Sequence, residues 1–271
     1  MRVVKLAAII CLWLAFFLLV ALAHVWASLW RPSERWRIVT RVTQQFTTLL
    51  RTILGVRISL EGRRDLLDRR SAFITSNHLG YLDGMVLGSL FPVIYVSKKE
   101  VRSWPIIGQW TVLCGTVYID RQHKDRIPRA VEQIVGRLRH KANILMFPEG
   151  TSTNGDRLLP FQTAPFAAAL RARVELVPLT ISYRRIDGEP VSSANRDNLY
   201  WYGDMDFVTH FWNLLSRRRI EVTIKIHPPI DTTRYKNDSA GRKQLSQACY
   251  DAISGGLEKE ERSERTPLTL S

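Results

Sequence analysis

The sequence predicts an α/β protein. A single layered domain, with a mixed, largely parallel sheet flanked by helices, follows an N-terminal membrane-associated helical segment. Three observations carry this. From Val56 onward, short apolar runs bounded by turn residues alternate with stretches of helical period, the pattern of strands joined through helices. Two turn motifs, Asn77-His78-Leu79-Gly80-Tyr81-Leu82-Asp83-Gly84 and Phe147-Pro148-Glu149-Gly150-Thr151, each follow such an apolar run; α/β sheets put their ligand clefts at such strand ends. Before all this, Leu6 to Trp30 carries no Asp, Glu, Lys or Arg, His24 being its one residue able to gain a charge near neutral pH.

That first segment exceeds the roughly 20 apolar residues needed to cross a hydrocarbon core. Trp26 and Trp30 lie near its far end and Trp36 just beyond, the depth an indole prefers. Arg31, Arg35, Arg37 and Arg41 follow it, against Arg2 and Lys5 before it, so the bulk of the chain is expected on the cytoplasmic side. Two alternatives stay open. Arg2, Lys5, the apolar run and Ala21-Leu22-Ala23 also fit a cleaved signal peptide, although the run continues past Ala23 into a basic flank. A hairpin dipping into one leaflet fits as well. Within 36–54, Val39, Val42, Phe46, Leu49 and Ile53 mark one helix face. That face packs on the core or on the first helix, or the helix lies in the headgroup layer with its arginines near lipid phosphates. Residues 1–54 thus form the anchoring region, 55–255 the folded domain and 256–271 a polar tail, read as a helix end or disorder.

Within the domain, Val56–Leu60 alternates and reads as a strand, and Ala72–Ser76 as a strand running into the first motif. Asp83–Leu90 is helical, stopped before Pro92. Val93–Val96 and Thr116–Ile119 are strands. Ile127–Arg139 has helical spacing, Ile144–Phe147 is a buried strand, and Thr163–Arg171 is an Ala-rich helix. Leu176–Ser182 is a strand carrying Pro178, which argues for an edge or an irregularity. Ile220–Ile226 alternates cleanly and closes the set.

The 271 residues carry 39 Lys and Arg against 25 Asp and Glu, a net charge of +14. That surplus favours an anionic partner: nucleic acid, an anionic membrane or a phosphorylated substrate. No helix-turn-helix spacing, zinc pattern or aromatic RNA-binding block appears, so no nucleic-acid partner is expected. No HExxH or paired Cys and His suggests a metal. Cys11, Cys114 and Cys249 are scattered, with no disulfide framework, as in a reducing compartment.

The chemistry lies in the two turns. His78, five residues before Asp83, offers a base with a carboxylate to hold it. An imidazole so held keeps its other nitrogen free to take a proton from an alcohol that attacks a carbonyl. Asp83 serving only as a helix cap is the plainer alternative. Gly80 and Gly84 allow tight turning and leave space for substrate. Glu149, at the tip of the second turn, can bind acceptor hydroxyls, hold nearby basic groups, or stay solvated.

Asn77-His78-x4-Asp83 followed by Phe147–Thr151 resembles the glycerolipid acyltransferase family that includes the 1-acylglycerol-3-phosphate acyltransferases. Gly115-Thr116-Val117-Tyr118-Ile119-Asp120-Arg121 is similar to the family's second block and Val177-Pro178-Leu179 to its fourth, and Trp104-Pro105-Ile106-Ile107-Gly108 falls where the family often has such a run. The resemblance makes 55–255 an acyltransferase domain. It implies direct acyl transfer from acyl-ACP or acyl-CoA, as co-substrate and without another cofactor, to a lyso-lipid hydroxyl in the membrane. His78 is then the general base and Asp83 its partner. Arg121 helps hold an anionic headgroup, and Glu149, Gly150 and Thr151 help bind the acceptor. The absence of a G-x-S-x-G elbow agrees with transfer that needs no acyl-enzyme. The leading acceptor is 1-acyl-sn-glycerol-3-phosphate, giving phosphatidic acid. One departure favours another. Many phosphatidic-acid-forming members have an arginine after the Phe-Pro-Glu-Gly-Thr block, where this chain has Ser152, and a guanidinium is the better fork for phosphate. Lys98, Lys99 or Arg157 are the candidates to supply that charge. Trp201-Tyr202-Gly203-Asp204-Met205-Asp206 resembles members that acylate lyso-ornithine lipid. A non-catalytic membrane-surface binding protein is the reading from another class; it leaves His78, Asp83 and Glu149 without a role.

Overall fold

The structure, a computed structural model, describes residues 1–68, 71–104 and 106–265. Helix α1 (Arg2–Trp30) turns through Pro32–Glu34 into α2 (Arg35–Leu54). The two pack antiparallel: Phe16 meets Phe46 at 4.4 Å between ring centroids, and Trp13 meets Phe46 at 5.0 Å. Phe16 and Val20 are buried, whereas Leu14 and Leu29 on another face are 67% and 71% exposed. Both ends of α1 are tied down. Lys5 Nζ donates to the Leu54 and Arg217 carbonyls at 3.3 and 2.6 Å. His24 Nε2 lies 2.7 Å from the Leu113 carbonyl, and Arg35 Nε donates to His24 Nδ1 at 3.0 Å. The helix is therefore part of the folded unit and also presents an apolar face long enough to anchor in a membrane. The 36–54 face packs as the first of its two readings has it, with Val39, Phe46 and Leu50 buried. Leu49 is 53% exposed.

Cleavage after Ala23 would strip Phe16 and Val20 from this core. The protein recovered from membranes is accordingly expected to retain residues 1–23 by intact mass. A chain lacking them is expected to aggregate, because the apolar face of α2 loses its cover.

The remaining elements in chain order are β1 (Val56–Gly62), β2 (Phe73–Ser76), α3 (Tyr81–Leu90), β3 (Val93–Lys98), α4 (Ile107–Leu113), β4 (Val117–Ile119), α5 (Ile127–Arg139), β5 (Asn143–Met146), α6 (Phe166–Ala172), β6 (Leu176–Ile186), β7 (Glu189–Pro190), α7 (Phe207–Leu214), β8 (Ile220–Ile226) and α8 (Ser239–Arg265). The sheet order is β1-β8-β6-β2-β5-β3-β4, with β7 beside β6. Among the described strands, only β6 with β8 and β6 with β7 pair antiparallel, so the expected mixed, largely parallel sheet is what forms. One face packs Ile74, Leu145 and Val177 against α2 and α3, with Phe16 and Val20 of α1 in the same cluster. The other packs Phe73, Ile144 and Met146 against α5, α6 and α8.

Three features refine or depart from the sequence reading. Of the two readings of the strand with Pro178, an irregularity rather than an edge is found: β6 lies between β8 and β2. It accommodates the proline through an irregularity, because the β6–β8 ladder starts at Leu179 while Leu176 bridges to Ile230. Pro178 falls in that gap, its carbonyl accepting from His227 N at 3.0 Å. Next, α4 and α7 were not anticipated. In α7, Phe207, Val208, Phe211, Trp212 and Leu214 share one face at helical spacing, and the Asp206 carboxylate caps the helix by accepting from Thr209 N at 2.7 Å; both signals were available in the sequence. Finally, the boundary between 255 and 256 falls inside α8, where Leu245, Cys249 and Ile253 are buried four residues apart. Gly256, inside the helix, marks a close approach: a Cβ there would lie 2.4 Å from Thr180 Oγ1. The final stretch 266–271 of the polar tail lies outside the described residues, as does Pro105.

Candidate active site

Strand β2 runs into Asn77, whose side chain takes over the strand's hydrogen bonding. Its amide donates to the Ile181 carbonyl at 3.0 Å and its oxygen accepts from Ile181 N at 2.9 Å. The chain is thereby held against β6 just before it turns, and His78 leaves the sheet in a fixed direction. The His78 ring stacks on Phe147 with 4.0 Å between centroids and 11° between planes. Its Nδ1 lies 2.8 Å from Asp83 Oδ2. Asp83 is fully buried. The same Oδ2 accepts from Leu79 N at 2.6 Å and Gly80 N at 2.9 Å, and Oδ1 accepts from the Tyr183 hydroxyl at 2.9 Å. Asp83 therefore both caps α3 and holds the imidazole. With Nδ1 bound to the carboxylate and His78 on the wall of the main cleft, Nε2 is the ring nitrogen left to meet a substrate.

The second turn reaches the same place from β5. Gly150 has φ +75, and a Cβ there would sit 2.3 Å from Arg121 Nη2. Arg121 Nη2 donates instead to the Gly150 carbonyl at 2.6 Å, so glycine lets the guanidinium lie across the turn. Asp120, next to Arg121, is bound by Lys99 at 2.9 Å, by His123 at 3.0 Å and by Arg126 at 3.1 Å. Hydrogen bonds from Lys99 and His123 hold its carboxyl well below the usual range. That cluster fixes the chain on which Arg121 stands.

Glu149 does something the sequence did not indicate. It is 4% exposed, and both its oxygens serve the backbone. Oε1 accepts from His78 N at 2.8 Å and Oε2 from Leu159 N at 2.9 Å. It lines a cavity of about 70 Å³ behind the site rather than the main cleft. Its carboxylate ties the two turns together instead of reaching into the space open to an acceptor. Burial pushes its pKa up from 4.5 to about 7, against the pull of the Leu159 and His78 N–H groups. Between those values the native state keeps a proton the unfolded chain has lost. The stability from this group is therefore full below about pH 4.5 and is lost as pH rises through about 7. Glu149→Gln is expected to remove that slope. It is also expected to cost about 1–3 kcal/mol, because an amide cannot accept from both N–H groups. Unfolding midpoints of both proteins in detergent, taken across that pH range, check this.

The main cleft has a volume of about 380 Å³. His78, Arg121, Gly150, Thr151 and Ser152 line it together. Tyr95, Ile107 and Trp110 give it apolar walls, and Trp104 and Trp201, 5.5 Å apart edge to face, complete them. Gly84 borders the cleft from α3, as expected of a residue leaving room for substrate. Of the candidate cations, Lys98 lines the cleft and lies over Trp104 at 5.6 Å. Lys99 is paired with Asp120, and Arg157 lines the rear cavity. Phe147, Asn77 and Tyr183 were missed as parts of the site. Phe147 and Asn77 stood inside the quoted motifs, whereas nothing in the sequence ties Tyr183 to residue 83.

An imidazole held by a buried carboxylate, open to an apolar cleft beside a helix with a bare apolar face, is the equipment of an α/β enzyme of lipid chemistry. A family profile described as Acyltransferase matches residues 57–182. The lyso-ornithine lipid O-acyltransferase of Rhizobium meliloti is 32% identical over 218 residues, covering 78% of this chain and 74% of the relative. That of Rhodobacter capsulatus is 35% identical over 211 residues, covering 76% and 71%. The 1-acyl-sn-glycerol-3-phosphate acyltransferase of Neisseria gonorrhoeae is 27% identical over 181 residues, covering 67% and 69%. The crystal structure of the acyltransferase PlsC from Thermotoga maritima superposes with a TM-score of 0.61 at 17% identity, covering 96% of this chain and 98% of that one, and so shares the fold. The chain belongs to the glycerolipid acyltransferase family and is an acyltransferase.

Proposed function

We propose that the protein moves a fatty acyl group from a thioester, carried by acyl carrier protein or CoA, to the hydroxyl of a lyso-lipid. The observation that carries this reading is the 2.8 Å contact between His78 Nδ1 and the buried Asp83, which leaves Nε2 to act as base. Nε2 takes the hydroxyl proton as the lipid oxygen bonds to the thioester carbon. Asp83 stabilises the imidazolium that results. The tetrahedral intermediate expels the thiolate, which takes the proton back from Nε2, and the imidazole is neutral again. Arg121 and Thr151, on the cleft wall beside His78, hold the acceptor headgroup. Glu149 acts through the backbone by fixing where His78 begins. The apolar walls take the acyl chain.

Lyso-ornithine lipid is the favoured acceptor. The relatives bearing that name are the more similar ones, at 32% and 35% identity against 27% for the Neisseria enzyme. Ser152 on the cleft wall and the Trp201–Asp206 segment point the same way. 1-Acyl-sn-glycerol-3-phosphate is the second reading, supported by Arg121 and Lys98 on the same cleft. Purified enzyme offered both lyso-lipids in equal amount, with labelled acyl-CoA or acyl-ACP, tests this by mass spectrometry. Labelled ornithine lipid in excess is expected. Phosphatidic acid in excess would give the acceptor role to the second reading, and neither product would defeat acyl transfer to these lipids.

The α1–α2 hairpin sets the enzyme on the membrane. Because α1 is bound to the domain at both ends, it supports insertion into one leaflet with the domain alongside. The arginines from Arg31 to Arg41 support the cytoplasmic face.

A further inference from the structure

We propose that Tyr183 is a positioning residue for the His78–Asp83 pair, fixing the plane of the carboxylate that aims the imidazole. The proposal rests on the general-base reading above and extends it to a residue on another strand.

The sheet register brings Tyr183 to the pair. Ser76, the last residue of β2, pairs with Leu179 of β6. Asn77 then bridges by its side chain to the backbone of Ile181. The next residue on the same face of β6 is Tyr183, so it lies beyond the end of β2, where the loop from 77 to 83 folds over. Its ring is 5% exposed, and its hydroxyl donates to Asp83 Oδ1 at 2.9 Å.

The division of labour on Asp83 gives that bond its meaning. Oδ2 takes His78 Nδ1 and the Leu79 and Gly80 N–H groups. Turning the carboxylate about Cβ–Cγ would move both oxygens. The Tyr183 bond to Oδ1 therefore reinforces, from a second side, the plane that the three donors on Oδ2 set, and with it the direction from which Nδ1 is held. A phenol buried beside a carboxylate stays protonated, since burial and the Asp83 charge both push its pKa well above 10. Its hydrogen bond also draws some of the carboxylate charge away from the imidazole.

The other ionisable groups around the pair are Glu149 on the turn after β5, Tyr200 on the loop before α7, and Tyr81 on α3. Arg121 borders the cleft. Tyr81 is engaged with His210 Nδ1 at 2.8 Å and Glu149 with backbone N–H groups. Among these groups Tyr183 is the one that donates to Asp83.

The test uses the full-length enzyme in detergent. Tyr183→Phe keeps the ring and removes the hydroxyl. It is expected to lower kcat about tenfold, the scale of one hydrogen bond to a charged group, with both KM values within about twofold of wild type. The acid limb of kcat/KM is expected to move to higher pH, because the carboxylate then holds the imidazole proton more strongly. Replacing Tyr183 by 3-fluorotyrosine strengthens the donor and is expected to move that limb to lower pH. A purely structural role for the ring would move neither limb. Unshifted pH profiles in both variants would overturn the proposal. His78→Ala in parallel separates the two levels. If it keeps full activity the general-base reading fails, and if it is inactive while the Tyr183 variants behave as wild type, only the role of Tyr183 fails.

Discussion

His78→Ala is expected to lower kcat by about 10²–10⁴-fold, the range that general-base catalysis contributes, in a protein that unfolds at nearly the wild-type temperature. The structural cost is small for a specific reason. The backbone N–H of residue 78 donates to Glu149 and survives the substitution. Asp83 keeps the Leu79, Gly80 and Tyr183 donors after losing the imidazole, so its buried charge is still solvated. The ring removed is partly exposed, at 20%, and the face it takes from Phe147 opens to the cleft rather than leaving a closed void. Activity and stability should therefore separate. Steady-state kinetics with the preferred lyso-lipid, beside thermal unfolding in the same detergent, provides the comparison.

Asp83→Asn is expected to have the next largest effect, and for a different reason. An asparagine at 83 can keep its oxygen toward His78 Nδ1 and the two backbone N–H groups. Its amide then faces the Tyr183 hydroxyl, which rotates from donor to acceptor. The hydrogen bonding survives and the fold with it. What is lost is the negative charge that stabilises the imidazolium formed during transfer. Two charges about 4 Å apart at an effective dielectric of about 20 interact by about 4 kcal/mol, so a loss of about 10²–10³-fold in kcat is expected. Asp83→Ala behaves differently. It leaves the Leu79 and Gly80 N–H groups and the Tyr183 hydroxyl without an acceptor, each costing about 1–3 kcal/mol. That variant should lose stability as well as activity. Unfolding curves for the two variants, set beside their turnover, separate lost charge from lost architecture.

The site was legible to the extent that it is local. His78 and Asp83 stand in one motif, and the strand before them and the helix after them could be read from apolar runs and turn residues. The 2.8 Å contact between them is what that spacing allows. Arg121 and Gly150 are different: only the resemblance to a family suggested that they share a site, because their contact depends on β4 and β5 both lying beside β3. Tyr183 is a long-range partner and left no trace in the pattern. Glu149 was recognised as important, but the target of its carboxylate was not, since its partners are backbone N–H groups, which every residue except proline carries. The same limit explains Pro178. A proline in a strand argues for an edge or an irregularity, and which of the two forms depends on the path of the chain after His227, which opens the gap in the β6–β8 ladder. Helix α8 was not picked out in the sequence although its buried positions lie four residues apart, and the approach of Thr180 to Gly256 inside it is a tertiary fact.

One measurement bears most directly on the whole account: a single turnover with enzyme in excess over a labelled acyl thioester, quenched over time, with lipid and protein weighed in the same samples. With acceptor present, label should pass straight into the lipid at a rate that falls by orders of magnitude in His78→Ala, and at no time should the protein gain the mass of an acyl group. An acyl-protein that forms and decays at the rate of product appearance, or undiminished transfer by the variant, would contradict direct attack by a lipid hydroxyl that His78 deprotonates.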